Sequence, residues 1–166
     1  MPGPAHPAWP TSDVQWLTAA ELESWLSLVR LVIWLPWSVD QQLQHDSNLS
    51  LIEYQVLAML SESPDRTRRM SGLAEKTNAS LSRLSHLVKR LEAKGLVRRQ
   101  PDPADGRFIN ATLTNEGYDV VAVAAPGHVA HVRSLVVDAL TPEQLRRLGL
   151  TAERIVARID TLAINT

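Results

Sequence analysis

Between Asn78 and Arg107 the chain reads NASLSRLSHLVKRLEAKGLVRRQPDPADGR, and its first half meets two opposite demands at once. On a helix turning about 100° per residue, Leu81, Leu84, Leu87, Val88 and Leu91 fall on one side, the apolar stripe of a helix packed on a core. Ser82, Arg83, His86, Lys89 and Arg90 fall on the other, where every side chain is cationic or hydrogen-bonding. Such a face suits phosphates and base edges in a major groove. Gly95 then ends the helix as a left-handed cap. Leu96-Val97-Arg98-Arg99 and Arg107-Phe108-Ile109-Asn110-Ala111-Thr112-Leu113 read as two strands joined across Pro101-Asp102-Pro103-Ala104-Asp105-Gly106, a turn rich in breakers. A helix followed by a basic hairpin is a winged helix, so the expected fold is mainly α with a small β-hairpin wing.

Charge distribution tests that reading separately. From Arg66 to Asn110 there are eleven Lys or Arg and four Asp or Glu, a local charge of +7. The whole chain, with 17 basic and 18 acidic residues, carries −1, so the remainder carries −8. Binding to a polyanion responds to the local field at the docking face, and a near-neutral total does not oppose it.

A length of 166 residues allows one core and a modest appendage. The absence of cysteine removes disulfides, thiolate metal sites and thiol oxidation, and fits a reducing, cytoplasmic setting. The N-terminus, MPGPAHPAWPTSD, has neither a basic leader nor a long apolar core, so a flexible Pro-rich lead is expected in place of a secretion signal. The longest apolar run, Trp25 to Trp37, is interrupted by Ser27, Arg30 and Pro36 and falls short of the about 20 residues a bilayer requires.

That run is nonetheless apolar nearly all round, and such a helix needs neighbours on several sides. A second copy of the chain supplies them most simply. Thr18-Ala19-Ala20-Glu21 is a capping box that would open this helix, with Pro36 kinking it on the way to about His45. Ser50-Leu51-Ile52-Glu53 caps a helix to about Glu62, which Ser63-Pro64-Asp65 breaks. Met70, Leu73 and Ala74 mark a short supporting helix ending near Thr77, and Asn78 is the expected cap of the helix that follows. A long helix is expected from Thr114 to about Ala139, with Pro126-Gly127 a kink or break. Thr141-Pro142-Glu143-Gln144 opens a last helix, in which Leu145, Leu148, Ala152, Ile155, Ile159 and Leu162 make a stripe at the chain end.

Several blocks, in order, resemble the MarR family of winged-helix transcriptional regulators. They are Leu73-Ala74, Ser82-Arg83-Leu84-Ser85, Val88-Lys89-Arg90-Leu91-Glu92, Gly95-Leu96-Val97-Arg98-Arg99, Asp105-Gly106-Arg107 and Leu113-Thr114-Asn115-Glu116-Gly117. The looser likeness runs from about Leu22 to about Leu162. The resemblance implies a helical dimerisation domain from 18–46 and 115–164, a winged-helix DNA-binding domain over 50–113, and a lead over 1–17. It implies a homodimer on a palindromic operator, paired recognition helices lying about one helical turn apart. Repression relieved by a small ligand, aromatic or phenolic in many relatives, would follow.

Within the recognition helix, Ser82, Arg83 and His86 are the candidates for base edges, with Ser85, Lys89 and Arg90 completing the contact set. In the wing, Arg98 and Arg99 are expected on phosphates and Arg107 at the minor groove or its flanking phosphates, where the family's Asp-x-Arg pattern implies that Asp105 orients it. Trp25, Arg30, Trp34, Trp37, His45 and Tyr54 are the candidate effector-binding residues. His128 and His131, three apart, are a workable zinc pair, but no Cys and no close acid supports them, and neither metal nor cofactor is expected. No Gly-rich phosphate loop, nucleophile elbow or His-Glu-x-x-His motif points to an enzyme. The alternative is a winged-helix assembly module without DNA binding or ligand sensing, which the polar recognition face disfavours.

Overall fold

In the computed structural model of the chain, residues 14–77 and 79–164 are described. The expected lead, up to position 13, and the expected Asn78 cap lie outside the described residues. Packing divides the chain into two units, Met1–Trp34 and Leu35–Thr166.

In the first unit, the Thr18 hydroxyl accepts the Glu21 N–H at 3.3 Å while the Glu21 carboxylate accepts the Thr18 N–H at 2.7 Å, which closes the expected capping box. Helix α1 (Ala19–Ser47) starts there and contains Pro36. Trp25, Leu26, Val32 and Ile33 are all more than half exposed on it.

In the second unit, the last turns of α1 bury Val39 and Leu43, and Leu49 follows them into the core. Helix α2 (Leu51–Ser61) opens on the second capping box, Ser50 with Glu53, and buries Tyr54, Val56, Leu57 and Leu60. A 3-10 turn over 64–66 leads into β1 (Thr67–Arg69), then α3 (Met70–Lys76) and α4 (Leu81–Ala93). The hairpin strands are β2 (Val97–Pro101) and β3 (Ile109–Leu113), and the antiparallel sheet has the order β1-β3-β2. Val97 pairs with Leu113 and Thr67 with Thr112. Leu57, Leu60, Leu73, Leu84, Val88 and Leu91 are fully buried where α2, α3 and α4 meet the sheet, each contributing about 1.5–3 kcal/mol through burial.

Two glycines hold α4, β2 and the next helix in place. Gly95 adopts φ +74°, the Leu96 N–H reaches back to the Leu91 carbonyl, and the Gly95 N–H reaches the Glu92 carbonyl. This double bond pattern turns the chain sharply from helix into strand. Helix α5 (Asn115–Val132) is capped by Thr114, whose hydroxyl accepts the Gly117 N–H at 3.0 Å. At Gly117 a methyl group would overlap the Leu96 carbonyl oxygen, so α5 approaches the root of β2 as closely as it does only with glycine there.

Four expectations change. The cap of α4 is Ser80, whose hydroxyl accepts the Arg83 N–H at 3.3 Å. Leu81, the first residue of the expected apolar stripe, is 55% exposed, because at the first helical position its side chain projects beyond the end of the packed surface. Strand β1 was absent from the sequence reading. Pro126 lies inside an unbroken α5, and the irregularity is instead a π turn over Arg133–Val137. Ala122, whose carbonyl loses its helical donor to Pro126, is exposed, so the interruption costs little there. The stretch Asn115–Val137 is apolar and long enough to cross a membrane by length and composition. Yet it carries Glu116, Asp119 and Arg133 and buries Val121 and Ala124 in the core cluster. Helix α6 (Pro142–Ile164) opens on reciprocal Thr141–Gln144 bonds and leaves Leu148, Ile155, Ile159 and Leu162 exposed.

Candidate nucleic-acid interface

Helix α4 presents three distinct surfaces. With Leu84, Leu87, Val88 and Leu91 buried, the about 100° rotation per residue sets Ser82, His86 and Lys89 opposite the core. Arg83 and Arg90 lie on one flank, where with His86 they border a hollow of about 420 Å³ that also touches Ile52, Thr77 and Ala79. Leu81 and Ser85 lie on the other flank, facing the wing across a smaller hollow of about 220 Å³. All the recognition-helix candidates are exposed except Ser85, which is half-buried. They therefore share one helix, with Ser82 and His86 outermost and Arg83 displaced to the side.

The wing is built from ion pairs. Arg107 donates to both Asp105 oxygens, Nε at 2.9 Å and an Nη at 2.6 Å, while the Arg107 side chain stays 86% exposed. This bidentate geometry fixes the direction of the guanidinium and holds the Asp105 carboxyl below the usual carboxylate range, helped by the Arg107 N–H. At the wing root, the Ala104 N–H and then the Arg69 guanidinium depress the Asp102 pKa, and Arg69 also covers the Phe108 ring at 4.4 Å. Arg99 binds Glu92 on α4 through its side chain at 2.7 Å and its own N–H at 3.0 Å. That clamp lowers the Glu92 pKa and fastens β2 to the recognition helix.

The cations consequently separate into three groups. Arg69, Lys94, Arg99 and Arg107 have carboxylate partners, Lys94 meeting the buried Glu53 at 3.3 Å. Burial raises the Glu53 pKa, but the Ser50 N–H, the Lys94 charge and the Ser50 hydroxyl outweigh it and leave it lowered. Lys76, Arg83, Lys89, Arg90 and Arg98 have no acid within ion-pair distance among the described residues. Three of these five stand on α4. Arg66 and Arg68, counted in the basic segment, turn to structural duties: Arg66 lies over the Tyr118 ring at 4.0 Å, and Arg68 donates to Ser63 at 2.6 Å.

The candidate effector residues are dispersed in environment. Trp25, Arg30 and Trp34 belong to the first unit, where all three are exposed. In the second unit Trp37 is exposed, and His45 faces solvent beside Asp46 at 2.6 Å. Tyr54 is buried with its ring tilted 49° against His128, centroids 4.4 Å apart. His131 pairs with the Ser38 hydroxyl at 3.1 Å. No group of three or more His, Cys, Asp or Glu able to hold a metal occurs among the described residues. The sequence reading missed His128 as a neighbour of Tyr54, since the two come from helices far apart in the chain. It missed Leu81, Phe108 and Ile109 as a partly exposed apolar group beside α4, because each looks like core in isolation.

Comparison with known proteins gives this geometry its class. The sequence model of the MarR family matches residues 47–107, which span α2 to the wing. The chain is 46% identical to Sco3205 of Streptomyces coelicolor, a MarR family transcriptional regulator solved in complex with DNA, over 87% of this chain and 90% of that one, with a TM-score of 0.83. It is 36% identical to AbsC, a MarR family transcriptional regulator from the same organism, over 89% of this chain and 99% of that one, with a TM-score of 0.86. The HTH-type transcriptional regulator MhqR of Bacillus subtilis (strain 168) is 27% identical over 66% of this chain and 79% of its own. The chain belongs to the MarR family of transcriptional regulators. These relatives are regulators of transcription, not enzymes.

Proposed function

We propose that this regulator is a homodimeric, sequence-specific DNA-binding repressor acting in the cytoplasm, with residues 50–113 as the DNA-binding domain and 18–46 with 115–164 as the dimerisation domain. The observation that carries the reading is the exposed polar surface of α4, with Arg83, Lys89 and Arg90 unneutralised, beside a wing whose Arg107 is held outward by Asp105. Ser82, Arg83, Ser85, His86, Lys89 and Arg90 meet the major groove and its edges. Arg98, Arg99 and Arg107 serve the flanking backbone and minor groove, Arg99 mainly by locking the wing to the helix. The DNA complex of Sco3205 supports this assignment by relationship. Exposed apolar residues on α6 (Leu148, Ile155, Ile159) and, separately, in the first unit (Trp25, Val32, Ile33) support a second copy as their cover.

Release by a small ligand is part of the proposal, with Trp25, Arg30, Trp34, Trp37, His45 and Tyr54 as the candidate contacts. Beside Tyr54, the buried His128 Nδ1 has no hydrogen-bond partner among the described residues, which leaves polar capacity for a guest. Footprinting on the DNA flanking its own gene, repeated with phenolic and other aromatic acids, tests both layers. A protected near-palindrome that one acid abolishes is the expected result. No protection at all overturns the DNA assignment, whereas protection indifferent to every acid removes only the sensor.

A further inference from the structure

We propose that Leu81 reads a thymine methyl group in each half-site, which makes an apolar contact part of the specificity of α4. The inference rests on the reading that α4 enters a major groove. Leu81 is the first residue of α4, immediately after its Ser80 cap, and stays 55% exposed although the other leucines and the valine of its helix are buried. Side chains on a helix lean toward its N-terminus, so this one extends past the end that enters the groove. Its neighbours toward solvent are Ser82 and Ser85, both of which can hydrogen-bond a base edge or phosphate while the leucine packs beside them.

The surroundings specify what Leu81 can meet. The hollow it lines with Met70, Phe108 and Ile109 is mainly apolar, and Arg99 and Arg107 of the wing also border it. Phe108 and Ile109 are themselves about 40% exposed, so the wall is not closed by the protein. A base edge approaching this wall under a phosphate bound by arginine offers only one apolar group in the major groove, the thymine C5 methyl. Cytosine carries only C5–H at the equivalent position and the purines carry no methyl group, so none of them fills the space against Leu81 as thymine does.

The test begins by selecting duplexes from a random library with the wild-type protein and with Leu81→Ala. The selected wild-type site is then rebuilt with deoxyuridine at each thymine in turn, which deletes one methyl and keeps every hydrogen-bonding atom. At one thymine per half-site the wild type should lose about fourfold in affinity, the value of one buried methyl. Leu81→Ala should bind the thymine site more weakly by a similar factor and be indifferent to deoxyuridine at that position. Its selected sites should lose the thymine preference there while keeping the rest. Equal affinity of the wild type for thymine and deoxyuridine at all positions overturns the proposal, as does undiminished deoxyuridine sensitivity in Leu81→Ala. Failure to enrich any sequence with the wild type would instead overturn the DNA-binding reading itself. The deoxyuridine scan on unaltered protein keeps the outcome independent of any effect of the substitution on folding.

Discussion

Replacing Asp105 by alanine removes a negative charge from the wing tip, and Coulomb attraction alone would then strengthen binding to a polyanion. The bidentate Asp105–Arg107 pair argues the reverse, since it orients the one wing cation whose side chain is 86% exposed. Arg107→Ala should weaken operator binding about tenfold, and Asp105→Ala should weaken it by less in the same direction. A gain in affinity for Asp105→Ala in an equilibrium binding assay would show that orientation contributes nothing. Glycines give a second contrast in denaturant unfolding. Gly117→Ala should cost about 1–3 kcal/mol, because the added methyl overlaps the rigid Leu96 carbonyl. Gly72→Ala, inside α3 with nothing within 4 Å of the added carbon, should stabilise by about 0.5–1 kcal/mol. Residue identities conveyed Gly95 and the wing pair because both depend on neighbours one to four positions away. They could not convey the burden on Gly117, which arises only when α5 meets the end of another element.

Elements were legible in proportion to how local their causes are. The boxes Thr18–Glu21, Ser50–Glu53 and Thr141–Gln144 each close over three residues, and all three open helices where the sequence places them. Strand β1 has three residues and exists through pairing with β3 more than forty positions later, so no periodicity announces it. Leu81 fitted the stripe by angle and left it by position along the axis. Among the cations, spacing alone could not divide free from paired, yet the division has a measurable consequence. Lys89→Ala or Arg98→Ala should reduce the slope of log affinity against log salt by roughly one. Lys94→Ala, which removes a cation already held by Glu53, should change the slope by clearly less, and equal changes would contradict the division. Acid tests the wing as an element. Glu92, Asp102 and Asp105 all have lowered folded pKa values, so each contributes stability above its unfolded value of about 4 and loses it as pH falls through the folded value. Stability measured by denaturant titration should therefore decline as pH drops below about 4, and Asp102→Asn should flatten part of that decline.

At the scale of the molecule, a chain of net charge −1 concentrates +7 between Arg66 and Asn110, while α6 and the first unit offer exposed leucine, isoleucine, valine and tryptophan. The first feature fits a groove, and the second fits a copy of itself. Joined, they require two α4 helices to reach one face of a duplex together, with half-sites about one helical turn, 10–10.5 base pairs, apart. A spacer series through the centre of the operator tests that requirement most directly. Inserting about half a turn of DNA should abolish tight binding by rotating one half-site to the far side, and inserting a full turn should restore part of it. Binding that is indifferent to the half-turn insertion would mean that each recognition helix acts alone, and the paired arrangement would be wrong.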